Sequence, residues 1–518
     1  MKNMKNKNIL LLLLTVVSFV SCNNWLDVTP KDKMLEDQQF STEDNINSAT
    51  NGLYREMTNE NLYGGQLTQT TLEMMGHVYS YPPTQPATGN PNLPFYFLAN
   101  FQYTQDEVKG NFSKIWKTAY STLLHINVYI KNMNESSAII SEQNKKILLG
   151  EAYGLRAYIH FDLFRLFGPA WQNRTGDKIL SYNNKAEATL NHTGYEETEY
   201  STADEYMTLL LQDLTTSEDL LKDNDPIISN ANSITNNLRN DNFYQNRNRR
   251  MNYYAAKGLE ARVRQYRGEY AQAAEAAKVV TDQVGSGKRF NWVNIAKMID
   301  QNNYIFFSEV IFGINNLDMI SRATTYYTGT DLRNSYLVDY NNLVKNILGY
   351  DGSLSAMLDI RSKQWMTSNA ITTPGYSING TYRSRKYLSF IFPNDGTDIP
   401  AIQNLQALMR ISEMYYIQAE AALKAGDRNG AIALLNTVLQ HRGLTEQYYL
   451  TNTMSDTDLQ AYIEKEYYRE LTGEGQIFFF HKRRGSAQMF RGYDEGYDPV
   501  PNPQSAYVVP VPDDETNI

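Results

Sequence analysis

The chain has 518 residues, enough for one large core or for several smaller ones. A net charge of −9, with no basic stripe interleaved with aromatics, argues against nucleic acid as a partner. A single cysteine rules out an intramolecular disulfide, so stability has to come from burial, which a chain this long can supply.

Lys2, Lys5 and Lys7 precede an apolar run over Ile9–Val20, followed by the small Ser21 and then the cysteine, Cys22. A basic start, a short apolar stretch and a small residue make a secretory signal. The run is too short to span a bilayer as a helix, which takes roughly 20 apolar residues. A thiol at the cut site points to a lipoprotein: residues 1–21 are the signal peptide and Cys22 carries the acyl chains. Several chains at roughly 0.8 kcal/mol per buried methylene hold such a protein firmly at a membrane. Residues 22–518 are then expected as one soluble body on a lipid tether.

Ser113–Met133 is the first long predicted helix, with Ile115, Ala119, Thr122, Leu123 and Ile126 along one face. Asn144–Phe167 follows, striped by Leu148, Ala152, Leu155, Ile159, Leu163 and Leu166, until Gly168-Pro169 breaks its hydrogen-bond ladder. Thr202 and Glu205 form a capping box that opens a third helix through Leu221. Asn224–Arg250 is polar and Asn-rich, and reads as an exposed loop.

Two helical hairpins come next. Asn252–Tyr266 and Tyr270–Val284 flank Arg267-Gly268-Glu269, and Leu408–Lys424 and Asn429–Arg442 flank Ala425-Gly426-Asp427. Small residues such as Ala255, Ala256, Ala273 and Ala277 let backbones approach closely, the pattern of tetratricopeptide hairpins. Segments 60–105 and 172–200 and the insert at about 285–404 are irregular, with a short strand expected at Ser308–Phe312. Long irregular stretches in a compact domain are functional surfaces or mobile segments. The fold class is mostly α: helix pairs side by side, large irregular loop insertions and few short strands.

Catalytic signals are weak. None of the six histidines pairs with another at metal-ligand spacing on a helix, and no cysteine partners exist for a structural zinc site. Gly285–Lys288 lacks the full phosphate-loop pattern, and no G-x-S-x-G elbow is present. Carboxylate pairs such as Glu466 with Glu470 read as solvated helix faces among 57 acidic residues. No catalytic residue, metal or cofactor is assigned and no enzyme is expected. A hydrolytic carboxylate pair distant in sequence stays open to a turnover assay.

The helix Gly150–Pro169 resembles the most recognisable segment of the SusD/RagB family of outer-membrane nutrient-binding lipoproteins. Trp25–Pro30, Phe40–Asp44 and Asn51–Tyr54 resemble its opening. Arg410–Glu420 resembles a late repeat helix, Glu466–Arg484 with Gly473-Glu-Gly-Gln476 its C-terminal helix, and Val509–Glu515 its closing segment. The likeness covers nearly the whole mature length. It implies four tetratricopeptide-like helix pairs as a scaffold, with irregular loops carrying the ligand. It further implies an outer-membrane, lipid-anchored protein facing outward as a hinged lid on a SusC-like TonB-dependent transporter. Such proteins capture oligosaccharides, in some members oligopeptides, and do not cleave them. One departure is that Cys22 is followed by Asn23, Asn24 and Trp25 before the first acidic residue, Asp27. A tetratricopeptide-type protein-interaction scaffold facing the periplasm is the second reading.

Binding an oligomer favours aromatic platforms with amides and hydroxyls nearby. The 38 Tyr and 20 Phe supply rings with flat apolar faces, and tyrosine adds a polar tip. In the Pro- and Asn-rich loop Tyr79–Tyr103 the candidates are Tyr79, Tyr81, Phe95, Tyr96, Phe97 and Tyr103. By family analogy Tyr326 and Tyr327 of the insert join them. Arg156 and His160, one turn apart, read as buried polar contacts between helices, and Glu413, Glu420 and Arg469 as interhelical pairs.

Overall fold

The computed structural model describes residues 39–513 apart from 137–139, 187–189, 192–193, 196–198, 231–233, 235–242, 329–335, 340, 350–357, 368–380 and 388–403. The expected signal at 1–21, Cys22 and the opening motif Trp25–Pro30 lie outside the described residues.

Eleven longer helices carry the scaffold among the described residues. They are α1 Glu43–Met57, α2 Asp106–Glu135, α3 Glu142–Phe167, α4 Ala203–Leu221, α5 Tyr253–Tyr266 and α6 Tyr270–Thr281. The others are α7 Met319–Thr328, α8 Ile411–Lys424, α9 Arg428–His441, α10 Asp456–Leu471 and α11 Ile477–Arg484. Four pairs form: α3 on α4, α5 on α6, α8 on α9, and α10 on α11. Packing of α6 on α8 joins the second pair to the third. Both predicted hairpin turns are present, with Gly268 and Gly426 at φ +76° and +79°, a region glycine enters without a Cβ penalty. The capping box of Thr202 and Glu205 opens α4 as expected.

Helix α3 is the centre of the molecule. From Ile147 to Phe167 every residue but Tyr153 is buried, so the helix is enclosed on all sides and not along one stripe. Gly154 explains the closeness: a Cβ there would meet Met251 Cγ at 2.5 Å. Its buried polar side chains are all engaged. Arg156 makes a bidentate pair with Asp213 of α4 at 2.6 and 2.7 Å, and His160 bonds the Tyr206 hydroxyl at 2.8 Å. Burial drives the His160 imidazole down to about 3, so it packs as a neutral ring. The C-terminus of α3 is closed by Lys482, whose Nζ donates to the carbonyls of Gly168 (2.7 Å) and Leu166 (3.2 Å).

Four expectations are corrected. The late hairpin does not start at Leu408, because Leu405–Arg410 is strand β2, paired antiparallel with β1 Val310–Asn315. All six β2 residues are buried, and a short apolar run does not separate strand from helix by periodicity. The loop Asn224–Arg250 is not exposed at its end: Arg247 is fully buried, bonded to Asp225 at 2.8 Å and Glu151 at 2.5 Å. Glu466 and Glu470 are not a solvated face but are each 1% exposed, among Arg361, Arg410, Arg442 and Arg469. Arg469 pairs within its own helix, with Glu466, and donates to the Ile347 carbonyl. Glu413 with Arg262, and Glu420 with Arg483, do join helices. Among the described residues no helix is long and apolar enough to cross a membrane.

Candidate functional site

The two irregular segments expected to carry ligand meet. Ser80 N donates to the Leu337 carbonyl at 2.7 Å, and Asn342 Nδ2 donates to the Val78 carbonyl at 3.3 Å. These bonds bring the first loop against the insert, although about 250 residues of chain separate them.

At this junction the rings gather around Tyr336. Phe95 lies 5.0 Å from it, Tyr79 5.2 Å and Tyr326 5.7 Å, centroid to centroid. Tyr327 stands behind Tyr79, their hydroxyls 2.9 Å apart, and Tyr79 donates to the Gln69 carbonyl at 2.9 Å. Offset and tilted pairs of this kind are worth about 0.5–1.5 kcal/mol beyond their area. Burial pushes the hydroxyls of Tyr79, Tyr326 and Tyr327 up, and that of Tyr336 up to about 12. All four stay protonated and able to donate at neutral pH.

Local structure fixes the rings. Helix α7 presents Tyr326 and Tyr327 and is tied to the turn after α1 by Arg322, which donates to the Thr58 carbonyl at 2.6 Å. Tyr326 donates to Glu60 Oε1 at 2.8 Å across the same seam. Below, Gln69 Nε2 donates to Gln406 Oε1 of β2 at 2.7 Å, so the aromatic corner rests on the sheet. The short helix Leu93–Ala99 carries Phe95, Tyr96 and Phe97, with proline in its first turn, a position that tolerates the missing N–H.

The predicted residues fall into distinct places. Tyr79, Phe95, Tyr326 and Tyr327 share the corner. Tyr81 and Tyr103 lie in a neighbouring cluster, where Tyr81 donates to Asp498 at 2.6 Å and Tyr103 packs on Phe101 and Phe112. Tyr79, Tyr81, Phe97, Tyr103 and Tyr327 are buried, at 5% exposure or less, and Tyr326 is 8% exposed. Phe95, Tyr96 and Tyr336 are half-buried. Of these rings, Phe95, Tyr96 and Tyr336 keep the most solvent exposure, and Tyr79, Tyr326 and Tyr327 are buried. Tyr336 was not a sequence candidate, since it sits in no periodic or aromatic run. Among the described residues no group of three metal-ligating side chains occurs.

Comparison with known proteins agrees with this architecture. A family model described as "Starch-binding associating with outer membrane" matches residues 24–263, and the model of the SusD family matches residues 192–516. A curated relative, SusD-like protein P25 of Formosa agariphila, is 25% identical over 167 residues, which is 32% of this chain and 31% of the relative. The chain thus matches about a third of the length of such curated relatives. A SusD superfamily protein of Bacteroides thetaiotaomicron superposes with a TM-score of 0.68 at 20% identity, over 92% of this chain and 98% of that one. A SusD-like carbohydrate binding protein of Bacteroides vulgatus gives 0.64 at 16% identity, over 92% and 96%.

Proposed function

Because the chain belongs to the SusD family, we propose that it is a nutrient-binding lipoprotein of the outer membrane that captures an oligosaccharide or oligopeptide without cleaving it. In this reading Cys22 carries the lipid and the body faces outward from the cell. It acts as a lid, delivering ligand to a SusC-like TonB-dependent transporter. The observation that carries the reading is the aromatic corner. Two segments far apart in sequence bring the half-buried Phe95 and Tyr336 together against Tyr79 and Tyr326, with Tyr327 behind Tyr79 and the half-buried Tyr96 next to Phe95 in the chain. Partly exposed rings suit a sugar, whose C–H face packs on a flat ring while its hydroxyls bond polar groups nearby. The descriptions of the relatives, starch-binding and carbohydrate binding, support testing glycans first.

The test is calorimetric titration of the full-length protein in detergent with oligosaccharide and oligopeptide panels, with the products checked afterwards. Saturable heat with intact ligand is the expected result, and it fixes the ligand class. Turnover of any oligomer would overturn capture in favour of hydrolysis. Digestion by protease added to intact cells is expected for an outward-facing body. Protection would favour the periplasmic scaffold.

A further inference from the structure

A second cleft opens away from the aromatic corner, between the α5–α6 turn, α8, α10 and α11. It encloses about 410 Å³, within the range of small-ligand pockets. Its rim carries Arg267, Tyr270, Lys424, Gln460 and Arg484, with Gln172 beside them.

The charge balance is one-sided. The single carboxylate in the lining, Glu420, is already held by Arg483 at 2.7 and 2.9 Å and by Gln265 Nε2 at 2.9 Å. Arg267 pairs with Glu269 at 2.8 Å and lies over the Trp171 ring. Lys424 and Arg484 have no ion-pair partner among the described residues. The Lys424 ammonium stands 5.6 Å from the Tyr270 ring centroid, and Arg484 donates to Gln460 Oε1 at 3.2 Å. Both cations lack a direct ion pair, yet both act on the Glu420 carboxyl and Arg484 also on that of Glu464, so the lining sets three arginines and a lysine beside one carboxylate, a half-buried ring and two amides. The chain as a whole is acidic, at −9, so this patch departs from its own background.

We propose that this cleft binds an acidic sugar, a pyranose bearing a carboxylate or sulfate. The anion sits between Lys424 and Arg484, the ring's C–H face lies on Tyr270, and Gln172 and Gln460 take hydroxyls. None of these residues belongs to the aromatic corner, so the inference goes beyond the capture site and stands or falls separately from it.

The full-length protein in detergent is titrated with digalacturonic acid, with galactobiose as the neutral control. Trialanine and its C-terminal amide probe a peptide carboxylate. The expected result is saturable binding of digalacturonic acid that weakens between about 50 and about 300 mM salt, with none for galactobiose. Lys424→Ala with Arg484→Ala is expected to weaken it at least about tenfold, the loss of a charge-assisted hydrogen bond. Lys424 is exposed, so Lys424→Glu gives the same answer without touching the core. Tyr96→Ala is expected to leave this binding unchanged. Absence of saturable heat, equal affinity for galactobiose, or indifference to both variants overturns the proposal. So does loss of binding in Tyr96→Ala, which would move the acid to the aromatic corner. Saturation by trialanine alone would overturn the sugar assignment.

Discussion

Arg442 and Glu470 meet in a forked ion pair, two guanidinium nitrogens lying 2.7 and 3.0 Å from the two carboxylate oxygens, with neither side chain reaching solvent. Glu470 also takes Arg361 at 3.0 Å and a close contact from Arg410, while Arg442 reaches Glu309 at 2.6 and 2.8 Å. One carboxylate therefore binds the end of α9, strand β2 and the insert to α10. Burial pushes its carboxyl up, yet Arg442, Arg410 and Arg361 outweigh burial and hold it well below the usual range.

Glu470→Gln is expected to cost about 3–5 kcal/mol, since three buried guanidiniums lose their shared anion. The sign of its pH dependence follows from the lowered carboxyl. The wild-type contribution is present above 4.5 and is lost as pH falls through the lowered folded value. Urea unfolding across the acid range checks both points. A variant as stable as wild type at neutral pH would show that the network relaxes around the loss.

Gly475 combines a positive φ with a close backbone approach. Its φ is +71°, and a Cβ there would fall 2.0 Å from the Leu67 carbonyl oxygen. Gly475→Ala is expected to cost at least about 2 kcal/mol, combining left-handed strain with forced displacement of the loop. The same loop carries Gln69, which accepts from Tyr79, so ligand affinity should fall with stability. An unchanged melting temperature would mean that the loop moves aside at no cost.

Helix existence and the hairpin turns were legible because apolar spacing, capping residues and glycines act locally. Thr202 with Glu205, Gly268 and Gly426 sit where those rules place them. The start of α2 at Asp106 was missed, since Gly110 and Asn111 dilute the pattern although Val108 and Phe112 anchor that first stretch. Buried ion pairs were illegible for a deeper reason. Glu309, Arg361, Arg442 and Glu470 come from four distant segments, and nothing near any one of them announces its partner. The aromatic corner was half legible. The loop and the insert were both marked by ring content, but which rings face water is decided by tertiary packing.

That packing separates two adjacent rings, Tyr96 and Phe97, whose centroids are 6.0 Å apart. Phe97 is 3% exposed, and Phe97→Ala is expected to cost about 3–5 kcal/mol through the cavity it leaves. Tyr96 is half-buried, and Tyr96→Ala should lower ligand affinity about tenfold while costing at most about 1 kcal/mol. Calorimetric titration paired with thermal unfolding checks the split. A large loss of stability in Tyr96→Ala with unchanged affinity would remove this ring from the ligand surface.

Glu73 supplies the opposite pH limb. It is fully buried, one oxygen accepting from Gly475 N at 2.8 Å and the other without a hydrogen-bond partner among the described residues. Burial pushes its carboxyl up to about 8, against the lowering effect of the Gly473 and Gly475 N–H groups and Lys386. Between 4.5 and about 8 the folded state holds a proton that the unfolded chain has released. Its stabilising effect is complete below 4.5 and fades as pH rises through about 8, by up to about 1.4 kcal/mol per pH unit. Glu73→Gln keeps the acceptor for Gly475 and removes the titration. Its stability relative to wild type should therefore improve steadily from pH about 5 to pH about 8. Urea unfolding at several pH values measures that difference. A difference that stays constant over the range would mean that Glu73 is already ionised in the folded protein, with Lys386 near enough to hold the charge.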